Sequence, residues 1–400
     1  MIMRWFILFL FTFHQIQAYN ILDYAIEQYK IVFEQFVNSS MKSYPHYANP
    51  LEDTWIYTTA TSGWTSGFAP GVLWNIYGYK PNEQNRQAAI NMTLPTGPYA
   101  NRTNTDDVGF TMMCGFGNGY HYLKNPDYLN MILLGAQSFA TRYSPTVRCT
   151  RSWDSATGFL VNIDNMMDLE VLFAASFESK NQTWHNIAWQ HANRTMYEHF
   201  REDNSTYHFV EYNETDGSVV RKYQHQGYAD WSTWSRGQGW GVYGYTMAYR
   251  YTKYQPFLDK AVGAANYFLS RIYNESDLVP FWDFDAPHNA TGTYQPKDTS
   301  AGAIFASALI ELSTFVDDQQ LKSRYFDSAK ALLEQLSSPK YSIHGNEKYK
   351  LPALLANGTY GPYPTNPYNV ALIFGDYYFT QAALRLQSIE VTGKLSHTFF

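Results

Sequence analysis

Residues 300–308 read Ser300-Ala-Gly-Ala-Ile-Phe-Ala-Ser-Ala308, a run of small and apolar side chains without a charge. Two other runs have the same character, Gly109-Phe-Thr-Met-Met-Cys-Gly-Phe-Gly117 and Trp240-Gly-Val-Tyr-Gly-Tyr-Thr-Met-Ala248. A helix that is apolar on all sides is buried on all sides. Between such runs lie segments with one apolar stripe and one polar face, of which 319–337 is the clearest. The sequence therefore predicts buried helices that alternate with half-exposed ones.

This alternation predicts an all-α fold in which an outer ring of helices surrounds an inner ring, an (α/α)6 barrel. An elongated helical solenoid is the alternative. A small β-hairpin insertion is predicted at 207–223, around the turn Asn213–Gly217. The predicted helices are 20–40, 64–79, 82–92, 107–122, 126–142, 165–178, 181–200, 235–253, 256–272, 298–315, 319–337 and 367–387.

Composition excludes several classes of protein. The 400 residues are 18% aromatic and only 16% charged, which argues against disorder, and a net charge of −6 argues against a nucleic-acid binder. No close metal-ligand spacing and no phosphate-binding glycine loop appears, so we expect neither metal nor cofactor. The two cysteines, Cys114 and Cys149, either pair or remain buried thiols.

The N-terminus has the pattern of a secretory signal peptide. Arg4 precedes the apolar run 5–13, and Ala18 offers a cleavage position. We therefore expect a signal peptide over 1–18 and a single catalytic domain over 19–400, with no membrane span. Ten Asn-x-Ser/Thr sequons support a secreted, N-glycosylated protein, and we expect it to be a monomer. They begin at Asn38, Asn91, Asn101, Asn181, Asn193, Asn204, Asn213, Asn274, Asn289 and Asn357.

Two carboxylates stand where predicted inner helices begin, Asp107 and Asp164. A single Asp at such a place is most often a helix N-cap. Two of them on neighbouring inner helices also suit acid/base chemistry, because burial and mutual repulsion can keep one protonated while the other is ionised. In the barrel, the N-terminal ends of the inner helices gather at one face. Aromatic residues near the same ends make this face a candidate sugar site.

Arg236 and His208 are further candidates for this face. Arg236 lies in Trp234-Ser-Arg-Gly-Gln-Gly-Trp240 and would grip a substrate carboxylate with both arms of its guanidinium, or else form a structural ion pair. His208 lies on the first strand of the predicted hairpin, where a structural role is the alternative to a role in the reaction.

Several of these segments resemble the unsaturated glucuronyl hydrolases, glycoside hydrolase family 88. The resemblance is carried by Asp107-Val-Gly-Phe110, Asn162-Ile-Asp-Asn-Met-Met-Asp-Leu169 and Trp234-Ser-Arg-Gly-Gln-Gly-Trp-Gly241, and it extends in order along the mature chain. It implies the (α/α)6 barrel. It also implies a reaction in which water adds to the C4=C5 double bond that a polysaccharide lyase leaves in a terminal uronic acid.

The resemblance also implies roles for individual residues. Asp164 would donate a proton to C4 and activate the water that adds at C5, and Asp107 would assist by position and charge. The partners would be unsaturated uronate oligosaccharides. The residues matching family positions around the substrate are Trp64, His208, Gln226, Arg236 and Trp240.

Two positions depart from the family pattern. Asp106 stands where the family usually has His, which bears on the charge state of Asp107. The loop 360–368 has no Lys, whereas some relatives grip a sulfate with a Ser/Lys cluster there, so unsulfated substrates are favoured. Two other functions remain open: an inverting glycosidase acting on saturated substrates, and a secreted, non-catalytic carbohydrate-binding protein.

Overall fold

The helices of the chain account for most of its length. A computed structural model describes residues 2–154, 158–273, 277–287 and 295–395, with side chains from Asn20 onward. In chain order the helices are α1 (Ile2–Asn38), α2 (Phe68–Tyr79), α3 (Glu83–Thr93), α4 (Val108–Met112), α5 (Asn118–Leu123), α6 (Pro126–Ala140), α7 (Asn165–Ser179), α8 (Gln182–Glu198), α9 (Ser235–Thr252), α10 (Gln255–Ile272), α11 (Thr299–Ser313), α12 (Gln319–Leu336) and α13 (Ile373–Thr392). A π-helical turn, Met113–Gly117, joins α4 to α5 in one rod, and a 3-10 helix, Leu94–Asn101, follows α3.

The buried helices form a closed ring. α2 packs on the α4–α5 rod, which packs on α7, and contacts continue through α9, α11 and α13 back to α2. Nearly every residue of α9 and α11 is buried, as the absence of a polar face requires. Because the ring closes, the molecule is the (α/α)6 barrel predicted from the sequence, and the solenoid alternative is excluded.

The remaining helices surround this ring, each packed on an inner neighbour. α3 packs on α2, α6 and α8 on α7, α10 on α9, and α12 on α11, while α1 covers α13 and α2. Capping side chains mark where four of these outer helices begin. The side chains of Asn82, Asn125, Asn181 and Asp318 cap α3, α6, α8 and α12 by accepting backbone N–H groups.

Short strands cover the end of the barrel where the inner helices begin. β1 (Tyr44–Ala48), β2 (Ile56–Thr58), β8 (Gly358–Thr359) and β9 (Tyr368–Leu372) form one sheet in the order β2-β1-β9-β8. β3 (Tyr143–Ser144) pairs with β4 (Cys149–Thr150), and β5 (Phe159–Asn162), β6 (Phe209–Tyr212) and β7 (Val219–Tyr223) form an antiparallel sheet. The β6–β7 pair is the predicted hairpin.

Three features differ from the sequence-based expectation or resolve its alternatives. The segment predicted to open a helix at 367 is instead the strand β9, because Asn369 has a φ of +55° and β9 pairs with β1 and β8. Strand β5 was not predicted, since its four residues give too short a pattern. Cys114 and Cys149 are both buried and free, so they do not pair.

Two further observations concern the chain's surface. Among the described residues, no helix has the length and apolar character that crossing a membrane requires. None of the sequon asparagines that the structure describes is buried. The sequons at Asn274 and Asn289 lie outside the described residues.

Candidate active site

The beginnings of the inner helices and the loops before them surround a cavity of about 350 Å³. This volume is typical of small-ligand sites. Of the residues predicted from the sequence, those that line it are Trp64, Asp107, Asp164, Gln226 and Arg236. His208 and Trp240 lie behind its wall. The other lining residues are Trp153, Asn162, His225, Tyr360, Gly361, Pro362 and Asn366.

The pairing of β5 with β6 sets Asp164 beside His208. Asn162 lies opposite Phe209, and the N–H of Ile163 donates to the carbonyl of His208 over 2.9 Å. Asp164 follows directly and begins α7 with no side-chain cap, so its carboxylate is not used by its own helix. Its Oδ2 atom lies 3.3 Å from Nε2 of His208, and the side chain keeps 18% exposure. The alternative reading of Asp164 as a helix cap is therefore excluded.

The surroundings of His208 fix which ring nitrogen carries the proton. Nδ1 accepts a hydrogen bond from the N–H of Gln226 over 3.1 Å, so in the neutral ring the proton is on Nε2, facing Asp164. The ring also packs against Trp234, tilted by 32° and at 4.5 Å between centroids. His208 is buried and does not line the cavity, so it acts on Asp164 rather than on a ligand.

Asp107 lies at the start of α4, and its Oδ2 accepts a hydrogen bond from Oγ1 of Thr105 over 2.7 Å. It does not cap its own helix by a side-chain hydrogen bond. Burial, with a smaller contribution from the charge of Asp164, raises the pKa of Asp107 from 3.8 to about 6 against the opposing effects of Thr105 and Arg102. Asp107 therefore changes its charge in the mildly acidic range.

A close contact between α4 and α7 brings more carboxylates to the same place. A Cβ at Gly109 would lie 2.3 Å from the Cα of Asp168, so only Gly allows this approach. Carboxylate oxygens of Asp106, Asp107 and Asp168 all lie within 4.8 Å of one another. Asp106 and Asp168 are fully buried, and burial followed by the neighbouring carboxylates raises the pKa of each well above its usual range.

These three carboxylates are also the cluster best suited to a metal ion among the described residues. Oδ1 of Asp168, however, accepts the N–H of Phe110 over 2.8 Å, and the start of α4 presents the positive end of a helix. Both features stabilise the ionised form of Asp168 and disfavour a cation at this point. The donor set does not fit a resident metal well, and no reaction step is assigned to one.

Arg236 begins α9 and is buried at the cavity wall. Its Nη1 atom donates to Oδ2 of Asp298 and to the carbonyl of Thr359, and its Nη2 atom donates to Oε1 of Gln226 and the carbonyl of Tyr360. The two arms predicted to grip a substrate are thus occupied by protein groups. In this arrangement Arg236 holds Gln226 and the 358–360 segment at the wall, and the ion-pair alternative describes it best.

Trp240 differs most from expectation. It lies one turn deeper in α9 than Arg236, is 1% exposed, and packs edge-on against Phe110 and Tyr378. It is not among the residues that line the cavity, and its contact with a ligand stays a prediction. The aromatic wall is provided instead by Trp64, which packs on Phe374 at 5.3 Å between ring centroids.

Two further lining residues, Trp153 and His225, were not predicted from the sequence. Trp153 lies in the loop between β4 and β5 and stands edge-on to His225, at 5.6 Å between ring centroids. Burial, then the neighbouring His208, lowers the pKa of His225, so this ring is neutral near neutral pH. A lone Trp in a loop is a weak signal, and only the spacing of the loops in three dimensions shows that it lines the cavity.

Comparison with known proteins gives a consistent result, although no family model matches the chain. An unsaturated glucuronyl hydrolase of Formosa agariphila is 37% identical over 341 residues, which are 84% of this chain and 82% of that protein. The crystal structure of an unsaturated glucuronyl hydrolase specific for heparin is 32% identical, with a TM-score of 0.82, covering 94% of this chain and 100% of the other.

A third similar protein is an unsaturated glucuronyl hydrolase of Streptococcus agalactiae, an Asp-to-Asn mutant complexed with dGlcA-GalNAc6S. It is 25% identical, with a TM-score of 0.78, and the match covers 93% of this chain and 92% of that one. The identity to the Formosa protein extends over most of both chains, and the fold agrees throughout. The chain belongs to the unsaturated glucuronyl hydrolases, a family of (α/α)6-barrel glycoside hydrolases.

Proposed function

We propose that this glycoside hydrolase releases the terminal 4,5-unsaturated uronic acid from lyase-generated oligosaccharides by adding water to the C4=C5 double bond. The observation that carries the proposal is the meeting of Asp107 and Asp164 in one sugar-sized cavity, with neither carboxylate used as a helix cap. Two carboxylates in different environments can divide the roles of acid and charge stabiliser.

Asp164 acts as the general acid and base. In its protonated form it gives a proton to C4, which leaves oxocarbenium character at C5 and the ring oxygen. The resulting carboxylate then takes a proton from the water that attacks C5, so Asp164 ends the step protonated. The ring of His208, whose Nε2 atom lies 3.3 Å from Oδ2, packs beside the carboxyl group that faces the cavity.

Asp107 stabilises the positive charge that develops when C4 is protonated, and it does so as a carboxylate. The product of hydration is a hemiketal at C5. Its ring opens to a C5 ketone, the hemiacetal at C1 then collapses to an aldehyde, and the next sugar leaves as an alcohol. One water is consumed and no redox partner is needed.

Substrates without sulfate suit this cavity best. Among its described lining residues the only fixed cation is Arg236, which is already paired with Asp298, and His225 is neutral near neutral pH. The loop 360–368 contributes Tyr360, Gly361, Pro362 and Asn366, and it has no Lys. The proposed substrates are hyaluronan-type, unsulfated chondroitin-type or glucuronan-type disaccharides.

Secretion is proposed for the same chain on the basis of its N-terminal sequence and sequons. A protein that acts on fragments of extracellular polysaccharide would be useful outside the cell. The test is N-terminal sequencing of the protein from its own host, which should begin near Tyr19, together with a loss of mass on treatment with an N-glycan amidase. An unprocessed Met1 terminus without glycans would contradict secretion.

The reaction is tested with an unsaturated, unsulfated disaccharide by following the ultraviolet absorbance of the conjugated C4=C5 uronate. The wild type should abolish the absorbance, and folded Asp164→Asn should leave it. The matched saturated disaccharide serves as control. Cleavage of the saturated compound alone would favour the inverting glycosidase, and binding without any turnover would favour a non-catalytic carbohydrate-binding protein.

A further inference from the structure

Asp106 has surroundings that a charged carboxylate does not tolerate. It is fully buried, and neither of its carboxylate oxygens has a hydrogen-bond partner. Oδ2 of Asp168, also fully buried, has no partner either, and the two carboxylates lie within 4.8 Å of each other. Two adjacent oxygens of this kind can satisfy each other only if one of them carries a proton.

We infer that Asp106 and Asp168 share one proton, Asp106 being the carboxylic acid and Asp168 the carboxylate. The pair is a positioning unit for Asp107, holding the first turn of α4 against α7 and keeping one negative charge beside Asp107.

The assignment of the proton follows from the donors that each carboxylate meets. Asp168 accepts the backbone N–H of Phe110, which stabilises its ionised form. Asp106 receives no donor from another residue, and its own backbone N–H lowers its pKa less than burial raises it, so the neutral acid is the form it can bury. Its O–H then donates to Oδ2 of Asp168, which gives a partner to that oxygen and to the protonated oxygen of Asp106.

The charged neighbours do not offer an alternative counter-ion. The guanidinium of Arg142 is bonded to the carbonyls of Thr103, Arg151 and Ser152 and to Asp154, and that of Arg102 is bonded to Asn104 and Ser62. The titratable and charged groups that act on the pair or on Asp107 from the surrounding elements are Tyr99, Arg102, Cys114, Arg142 and Asp164. The two cations are held by other partners, and the remaining groups are neutral or acidic.

A histidine at position 106, as the related family usually has, would present an N–H to Asp168 where protonated Asp106 presents an O–H. Both arrangements give a donor to Asp168 and leave one negative charge. The departure at position 106 therefore preserves the local charge that Asp107 experiences, rather than adding a second negative charge beside it.

Two isosteric variants distinguish this arrangement from its alternatives. Asp106→Asn keeps a donor to Asp168, so kcat/KM should stay within about threefold of wild type and the acidic limb of its pH profile should not move. Asp168→Asn removes the charge beside Asp107, so that limb should move to lower pH by about one unit. A shift in Asp106→Asn, with none in Asp168→Asn, would overturn the assignment.

Infrared difference spectroscopy tests the shared proton without any turnover, and therefore independently of the proposed function. At pH 8, wild type minus Asp106→Asn should show the carbonyl band of a protonated carboxylic acid. Bands from acids present in both proteins cancel in the difference. In Asp168→Asn the band should persist at a shifted frequency. A spectrum without the band would contradict the inference.

A metal ion in the cluster is the competing arrangement, and it is tested with Ca²⁺, Mg²⁺ and Mn²⁺ added singly. The inference predicts that none of them changes the thermal unfolding midpoint of the chelator-treated wild type. A midpoint raised by one of these ions in the wild type but not in Asp106→Asn would overturn the shared proton in favour of a metal.

Discussion

Asp107→Asn should make the protein more stable at neutral pH while it impairs the reaction. Burial is the main cause that raises the pKa of Asp107 from 3.8 to about 6. At pH 7.5 the ionised carboxylate is therefore less stable in the folded state than in the unfolded chain. At 1.4 kcal/mol for each tenfold change, this rise corresponds to a penalty of about 3 kcal/mol at most. The amide removes the charge and can still accept the hydrogen bond from Thr105.

The sign of the effect with pH follows from linkage. A carboxyl group whose pKa is raised by folding costs no stability below its unfolded pKa, and the penalty grows as pH rises through the folded value. The gain from Asp107→Asn should therefore be small at pH 4, vanish at lower pH, and be complete above about pH 7. For a chain of this length a gain of about 3 kcal/mol raises the unfolding midpoint by about 3 to 4 °C.

The assay is thermal unfolding of wild type and variant between pH 4 and 8. Asp127→Asn is the matched control, because Asp127 is an exposed carboxylate in the first turn of α6 and should give little change. An unchanged or lowered unfolding midpoint for Asp107→Asn at pH 7.5 would show that the buried charge of Asp107 does not destabilise the folded state. A gain that is equally large at pH 4 would show the same.

Other measurements check other parts of the account. Asp164→Asn should lower kcat by about a hundredfold or more in a folded protein, and near-normal activity would remove Asp164 from its role. Arg236→Lys should lower the unfolding free energy by about 3 kcal/mol, since Lys cannot hold four buried acceptors, and unchanged stability would show that the observed ion pair is dispensable. The pH profile of kcat/KM should fall below about 6 as Asp107 takes up a proton, and activity that rises steadily into alkaline pH would exclude a carboxylic acid as the donor. Thiol titration in denaturant without reductant should find both Cys114 and Cys149, and no reactive thiol would indicate a disulfide.

The sequence predicted the helical framework well, because buried helices such as α9 and α11 have no polar face that could be mistaken for an exposed one. Because these buried helices alternate along the chain with half-exposed ones, the sequence also predicts an inner ring surrounded by an outer ring. The short strands escaped prediction for a physical reason: β5 and β9 are stabilised by partners distant in sequence, and four or five residues carry too little periodicity. The π turn in the α4–α5 rod likewise leaves no pattern that differs from a helix.

Site residues at the start of an inner helix could be predicted from the sequence, and site residues elsewhere were harder to predict. Asp107 and Asp164 could be found because the start of an inner helix has a known place in the barrel. The structure buries Trp240 deeper than the sequence suggested, since motif membership gives no depth along α9. Asp168 was not singled out, because its importance comes from the contact that Gly109 permits between α4 and α7.

The central claim, that water adds across C4=C5, is tested most directly by running the reaction in D₂O and examining the released uronic acid by NMR. The account predicts one deuteron bound to C4 in each product molecule and the loss of this turnover in Asp164→Asn. Oxygen-18 water should label C5 as the bond is hydrated. Release of the sugar with no deuterium at C4, and with solvent oxygen incorporated at C1 of a product that retains its double bond, would contradict hydration and assign the chain to direct attack at the anomeric carbon.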